Sequence, residues 1–311
     1  MNTARRALTL AVLAAARLAC ADPCHEVRIA DLNEQIAANP ALPDLYFQRA
    51  MNYRDVPKLA EARADLEKAL TLLPGFLPAD RELARLDDAE GHPREAIARL
   101  EKALAAAPAG AAVYLPACYE VLADFYLNAD RNVEALTVIE KCFAATPDMS
   151  LDLCLLRSEA QRRLGKADDR VRDLAAAQVK LKSFVLRIAW IEALIDAGRS
   201  AEVLPEINQE IEACRYKSSW LIRRARVLLH DEKKAEAAAD LTTALAELEL
   251  RIRPENPDFT LICDRALIYA LQGKTAEARK DLADAKTRGA FRWTTRVLET
   301  VLEASEKPKA Q

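Results

Sequence analysis

The sequence predicts an all-α fold: a right-handed superhelical solenoid of about seven helix–turn–helix repeats, closed by a C-terminal capping helix. Two observations carry this prediction. Small and apolar residues recur at a fixed spacing, and most of the seven glycines fall where the turns of such repeats would lie. The spacing, about 34 residues, is typical of stacked helical hairpins. Alternation with a period of two, which would indicate strands, is nearly absent.

The first two repeats define the period. Residues of the first repeat are matched one period later in the second: Ala50, Ala62, Leu66, Ala69 and Pro74 by Ala84, Ala96, Leu100, Ala103 and Pro108. The alanines allow two helices to cross closely. The prolines follow second helices, because proline does not continue a helix.

Further copies follow with small shifts of register. The third, which ends at Pro147, is displaced by more than one period, and the extra residues fall in the loop around Gly110. The fourth and fifth copies are weaker, and Arg170 stands where the fourth should have an alanine. Glycines mark four of the turns inside repeats, where a positive φ ends the first helix: Gly91, Gly165, Gly198 and Gly273.

Two segments carry a family resemblance. Arg49-Ala50-Met51-Asn52-Tyr53, and Arg265-Ala266-Leu267-Ile268-Tyr269 with Glu277-Ala278 downstream, resemble the consensus of bacterial tetratricopeptide-repeat (TPR) proteins. The resemblance covers residues 43–290. It implies an interaction scaffold without naming a partner. A flanking helix is expected within 22–42, and a capping helix and tail within 291–311.

The N-terminal segment, 1–21, resembles a secretory signal peptide. Arg5 and Arg6 form a basic start, the apolar stretch 7–16 follows, and Ala19-Cys20-Ala21 offers small residues for cleavage. We therefore expect export to the periplasm or cell envelope. An alternative is a lipoprotein, because Arg17-Leu18-Ala19-Cys20 resembles a lipidation box in which Cys20 carries the lipid. Arg17 departs from that pattern, since the box has an aliphatic residue there.

Composition limits the possible partners. The 311 residues are 51% hydrophobic and 30% charged, with a formal net charge of −3. This supports a long continuous core. Like charges form no long block, so no footprint for nucleic acid is visible. Beyond the N-terminus no apolar run reaches membrane length, which predicts no membrane span.

Cysteines and histidines show no recognisable cofactor motif. The expected position of Cys118 and Cys154, near the starts of first helices in neighbouring repeats, makes them candidates for a disulfide. The run from Cys20 to His25 is one residue too long for haem attachment, and the three histidines lack metal-ligand spacing. Neither a glycine-rich phosphate loop nor an acid–base pair stands out. We therefore predict no catalytic residues, no metal and no cofactor.

The candidate binding residues lie on the first helices, which line the concave wall of stacked repeats. In chain order they are Phe47, Met51, Arg54, Arg81, Arg85, Glu120, Asp124, Glu159, Arg162, Glu192 and Arg226. They form an apolar end, a basic patch and an acidic patch. This arrangement suits an extended peptide or a partner helix of mixed charge.

The resulting prediction is a non-catalytic scaffold, exported from the cytoplasm, that binds another protein on its concave face. Two alternatives remain open at this stage. One is a lipid-anchored envelope assembly factor, and the other is an enzyme with a cryptic redox or hydrolytic site.

Overall fold

The computed structural model describes residues 23–306, apart from 57, 147–149, 254, 256, 257 and 291. The predicted signal peptide, 1–21, lies outside the described residues, and so do Cys20 and Pro147. Within the described part, the secondary structure is sixteen α-helices and one 3-10 helix, without a strand. No helix there is long and apolar enough to cross a membrane.

The chain divides into two compact units, of which the first ends at Lys166. Its helices are α1 (Pro23–Ala38), α2 (Pro43–Asp55), α3 (Leu59–Leu72), α4 (Leu77–Ala89), α5 (Pro93–Ala105), α6 (Leu115–Asn128), α7 (Asn132–Ala145) and α8 (Leu151–Arg163). The extra residues of the third repeat form the 3-10 helix Ala109–Tyr114. Helices α2 and α3, α4 and α5, and α6 and α7 form hairpins, with α1 against α2 and α8 against α7.

The second unit begins at Ala167, so the boundary falls in the predicted turn of the fourth repeat. Its helices are α9 (Ala167–Leu181), α10 (Phe184–Asp196), α11 (Ser200–Ala213), α12 (Ser218–His230), α13 (Lys234–Arg251), α14 (Phe259–Leu271), α15 (Thr275–Thr287) and α16 (Arg292–Glu306). Helices α12 and α13, and α14 and α15, form its most extensive hairpins. Helix α9 packs against α10, and α16 closes the unit against α14.

The small residues of the repeat register lie in the core. Ala50, Ala84, Ala96 and Ala123 are fully buried, so hairpin helices approach closely at these positions. Leu298 and Leu302 of α16 are buried against the last repeat. The predicted all-α class of stacked helical hairpins with a C-terminal capping helix is confirmed.

Arg170 occupies the core position where the fourth repeat lacks its alanine. It is 3% exposed, and its Nη1 lies 2.7 Å from Asp196 Oδ2 of α10. The carboxylate neutralises a charge that burial alone would make costly.

From the second repeat onwards, the described turns inside repeats share one backbone conformation whether or not they contain glycine. Gly273 has a φ of 78°, and Asp130 and Glu232, at the equivalent positions of the third and sixth repeats, have φ values of 57° and 60°. This left-handed conformation is strained for residues with a side chain. The register of the turn therefore persists where the sequence gives no glycine.

Candidate functional site

The predicted binding residues lie on the first helices of the repeats, six of which carry at least one. Phe47, Met51 and Arg54 are on α2, Arg81 and Arg85 on α4, Glu120 and Asp124 on α6, Glu159 and Arg162 on α8, Glu192 on α10, and Arg226 on α12. The first nine of these residues belong to the first unit, and the last two belong to the second.

Three predicted arginines of the first unit surround one buried carboxylate. Glu82, 4% exposed, lies 2.8 Å from Arg54 Nη1 and 2.8 Å from Arg81 Nη2, while Arg85 Nε is 3.9 Å away. We call this group the arginine cluster. Asp55 Oδ1 also lies 3.5 Å from Arg54 Nε, so three positive charges face two negative ones and the cluster keeps a net positive charge. Arg85, 51% exposed, is its most accessible member. Sequence reasoning missed Glu82.

An aromatic ladder lies beside the arginine cluster. The ring of Phe76 packs edge-on against Phe47, with centroids 5.4 Å apart, and against Tyr114, at 6.3 Å. Such edge-to-face contacts stabilise aromatic pairs beyond simple burial. Tyr114 remains 40% exposed, so the ladder offers apolar surface to a partner.

The apolar end of the predicted wall borders a cavity between α1 and α2. Its volume is about 410 Å³, and Phe47 and Met51 line one side. The remaining lining residues are mainly polar and belong to both helices: Arg28, Asp31, Leu32, Gln35, Gln48 and Asn52.

The acidic residues of the third repeat accept hydrogen bonds from neutral side chains. Glu120 accepts a hydrogen bond from Ser150 Oγ at 3.3 Å, and Asp124 accepts one from Asn128 Nδ2 at 3.1 Å. Burial raises the pKa of Glu120 above its usual value, and the nearby carboxylate of Asp152 raises it further.

Glu159 and Arg162, both predicted to face a partner, pair with each other. Arg162 Nη2 lies 2.8 Å from Glu159 Oε1, and Arg163 Nε reaches the same oxygen at 2.8 Å. Glu159 is only 2% exposed. Arg163 also donates to the Leu127 carbonyl at the end of α6. These contacts indicate that the buried carboxylate fixes α8 in place.

Glu192 and Arg226 of the second unit also pair with each other. Arg226 Nη1 lies 2.6 Å from Glu192 Oε2, and Arg223 Nε lies 2.8 Å from Oε1. Burial by itself would raise the pKa of Glu192, but the guanidinium groups of Arg226 and Arg223 outweigh it and lower the pKa to about 2. The pair is an internal salt bridge.

Asp264 on α14 is a carboxyl that sequence reasoning missed. It lies 41 positions after Arg223, and the same step separates Ala225 from Ala266, the equivalent buried alanines of these two repeats. Burial raises its pKa to about 6 despite the opposing charges of Arg223 and Arg251. That spacing was the signal in the sequence that would have identified it.

A recurring salt bridge joins the two helices of three hairpins. Arg49 and Asp65, Arg224 and Asp240, and Arg265 and Asp281 are each 16 residues apart and form two parallel hydrogen bonds of 2.7–2.9 Å. Bidentate pairs of this kind fix both helices strongly. We call them the hairpin clamps. Their 16-residue spacing is visible in the sequence.

Cys118 and Cys154 are both buried, and no disulfide joins them. The Cys118 sulfur is directed at the preceding repeat, 3.9 Å from the Leu77 carbonyl oxygen, rather than at α8. Burial raises the pKa of Cys118 to about 11, which makes this thiol a poor nucleophile. The described residues hold no cluster of three or more His, Cys, Asp or Glu side chains suited to a metal ion.

No protein-family model and no curated protein matches the sequence. Among solved structures, a TPR protein from Parabacteroides merdae is 18% identical, with a TM-score of 0.60 over 85% of this chain and 98% of that one. Yeast Tom70 is 16% identical, with a TM-score of 0.52 over 89% of this chain and 58% of its own. A chain of the APC/C hetero-tetramer Cut9–Hcn1 is 15% identical, with a TM-score of 0.52 over 89% and 48%.

The chain spans about half the length of the last two proteins. These similarities establish the fold: the hairpins of this protein are TPR-like, as the two segments of consensus sequence predicted.

Proposed function

We propose that the protein is a non-catalytic scaffold that binds another protein, as an extended peptide or a helix, on the concave face formed by its first helices. The observation that carries the proposal is the arginine cluster beside the aromatic ladder. Basic groups with incomplete neutralisation next to exposed aromatic surface are a common composition for a protein-binding patch.

Arg85 is the residue of the arginine cluster that best suits this role. Arg54 and Arg81 each lie 2.8 Å from Glu82, whereas Arg85 keeps half of its side chain in solvent at 3.9 Å. A partner carboxylate can therefore reach Arg85 without breaking a close internal ion pair, and such a contact adds steering and specificity.

The proposal is tested with tagged protein in a cell extract of the source organism. Wild type and Arg85→Glu are compared by quantitative mass spectrometry of what they retain. Arg94→Glu is the matched control, because Arg94 is exposed on the second helix of the same hairpin. It makes the same charge change away from the first helices.

A partner retained by wild type and Arg94→Glu, and lost with Arg85→Glu, supports binding at this face. Equal recovery with all three proteins contradicts the role of the first helices. Circular dichroism of both variants establishes that neither change unfolds the hairpin.

Export is part of the same proposal and rests on the sequence of residues 1–21. N-terminal sequencing of protein from a cell-envelope fraction tests it, with a mature chain beginning at Asp22 as the expected result. Palmitate labelling that depends on Cys20 would instead favour the lipid-anchored alternative. Intact Met1 on the chain in the cytoplasmic fraction would contradict export.

A further inference from the structure

The carboxylate of Asp264 has no ion-pair partner among the described residues. The seven most buried carboxylates of the described residues each form an ion pair with at least one arginine: Asp65, Glu82, Asp87, Glu159, Glu192, Asp240 and Asp281. Asp264 is densely surrounded by protein and keeps partial contact with solvent. Within the described part of the chain its carboxylate makes neither a hydrogen bond nor an ion pair.

The two arginines whose charges act most on Asp264, Arg223 and Arg251, form their close contacts with other groups. Arg223 pairs with Glu192 at 2.8 Å, donates to the Ser219 carbonyl at 3.0 Å and stacks on Trp220.

Arg251 pairs with Glu247 at 3.1 Å, donates to Ser218 Oγ at 3.2 Å and lies over the ring of Tyr216. Both guanidinium groups contribute a favourable field at Asp264 without reaching it, while Glu192 and Asp258 oppose them.

The first helices beside Asp264 also present apolar surface. Phe184, at the start of α10, is 56% exposed and packs edge-on against Trp220 of α12, with centroids 6.3 Å apart. Val185 beside it is 49% exposed. A segment that binds along these helices in the second unit would meet an apolar anchor as well as an unpaired carboxylate.

We propose that Asp264 is the subsite for a lysine or arginine side chain of the bound protein segment. This rests on the proposed function. The free protein holds one negative charge that its own arginines leave unpaired, and the missing partner is a single cation. A metal ion would require further ligands, which the described residues do not group around this position.

Charge pairing at this subsite makes binding depend on pH. The carboxyl must be ionised to hold the cation, so affinity is expected to fall as pH drops through about 6. The charged groups that act on Asp264 lie on α10, α12, α13 and at the start of α14: Glu192, Arg223, Arg251 and Asp258.

The test uses a display library of random ten-residue peptides selected on the purified protein at pH 7.5. We expect peptides with lysine or arginine at one fixed position to be enriched. Synthetic copies of the enriched peptides are then measured by fluorescence anisotropy against wild type, Asp264→Asn and Asp168→Asn. Asp168 is an exposed carboxylate of the same unit, so the control matches the change in net charge.

Asp264→Asn is expected to weaken binding about tenfold or more. Replacement of the peptide lysine by norleucine is expected to weaken it to the same extent. The two changes together should weaken binding no more than either alone, because they remove one contact. Additive losses, or peptides enriched without a basic position, would overturn the subsite and leave the proposed function standing. A library that yields no binding peptide would count against both.

Discussion

Replacing Asp264 with asparagine is expected to stabilise the second unit at neutral pH and to change little at pH 4. In the folded state the pKa of this carboxyl is about 6, against 3.8 in its usual environment. Between these values the folded state binds the proton and the unfolded chain does not. The free energy of unfolding contributed by Asp264 therefore falls as pH rises from about 4 to about 6.

The magnitude follows from the size of the shift. One pKa unit corresponds to about 1.4 kcal/mol, so an elevation of about two units costs the folded protein about 3 kcal/mol once the carboxyl is ionised. Asparagine has nearly the shape of the neutral acid and carries no charge. Since part of the side chain contacts solvent, the expected gain for Asp264→Asn at pH 7.5 is about 2 kcal/mol.

The assay is urea unfolding followed by tryptophan fluorescence at several pH values. Trp190, Trp220 and Trp293 all follow Lys166, so the signal reports on the second unit. The exposed Asp168→Asn control should change the free energy of unfolding by less than about 0.5 kcal/mol at every pH. A difference between Asp264→Asn and wild type that does not vary from pH 4 to pH 7.5, or a destabilised variant at pH 7.5, would refute the reasoning.

Three further predictions concern the fold. Asp240→Asn should lower the free energy of unfolding of the second unit by about 2–3 kcal/mol in the same urea assay, because Arg224 loses its bidentate partner; an unchanged midpoint would show that the hairpin clamp contributes nothing. Glu232→Gly should raise the free energy of unfolding by about 0.5–1 kcal/mol, because glycine adopts the positive φ without strain. Gly273→Ala should lower it by about 1 kcal/mol, although the added Cβ meets no atom within 4 Å. A loss for the first variant or a gain for the second would contradict the common turn geometry. In the native protein Cys118 and Cys263, whose pKa values burial raises to about 11, should react with a thiol reagent about 100-fold more slowly than in the denatured protein. Peptide mapping without reductant should recover Cys118 and Cys154 in separate, unlinked peptides.

The fold could be predicted from the sequence because each repeat needs small residues at the same positions, where its two helices cross. Ala50 and Ala84 are fully buried at the same point of successive hairpins, and the regular spacing of small residues reflects that directly. The turn at Glu232 shows the limit of single-residue signals. Glycine is the usual marker of a positive φ, but neighbouring helices impose the conformation on glutamate there.

The candidate site was less predictable, because a helical register identifies which residues face outwards but not what neutralises them. Arg54 and Glu82 are 28 residues apart, and Glu192 and Arg226 are 34 apart. Their pairing depends on the rotamers and separation of helices in adjacent repeats, which the sequence does not specify. Most of the charged residues expected to face a partner therefore form ion pairs within the protein, whereas Glu120 and Asp124 accept hydrogen bonds from Ser150 and Asn128.

These internal pairs restrict where a partner gains energy. To use Arg226 or Glu159, a partner must separate ion pairs of 2.6–2.8 Å that already offset the cost of burial, and most of the new contact would replace the old one. Arg85 and Asp264 carry no such cost, since the first keeps only a long contact with Glu82 and the second has no internal partner among the described residues. A wall with many charged residues thus reduces to a few positions able to discriminate between partners. Arg85 in the first unit favours an acidic group on whatever binds there, and Asp264 in the second unit favours a basic one.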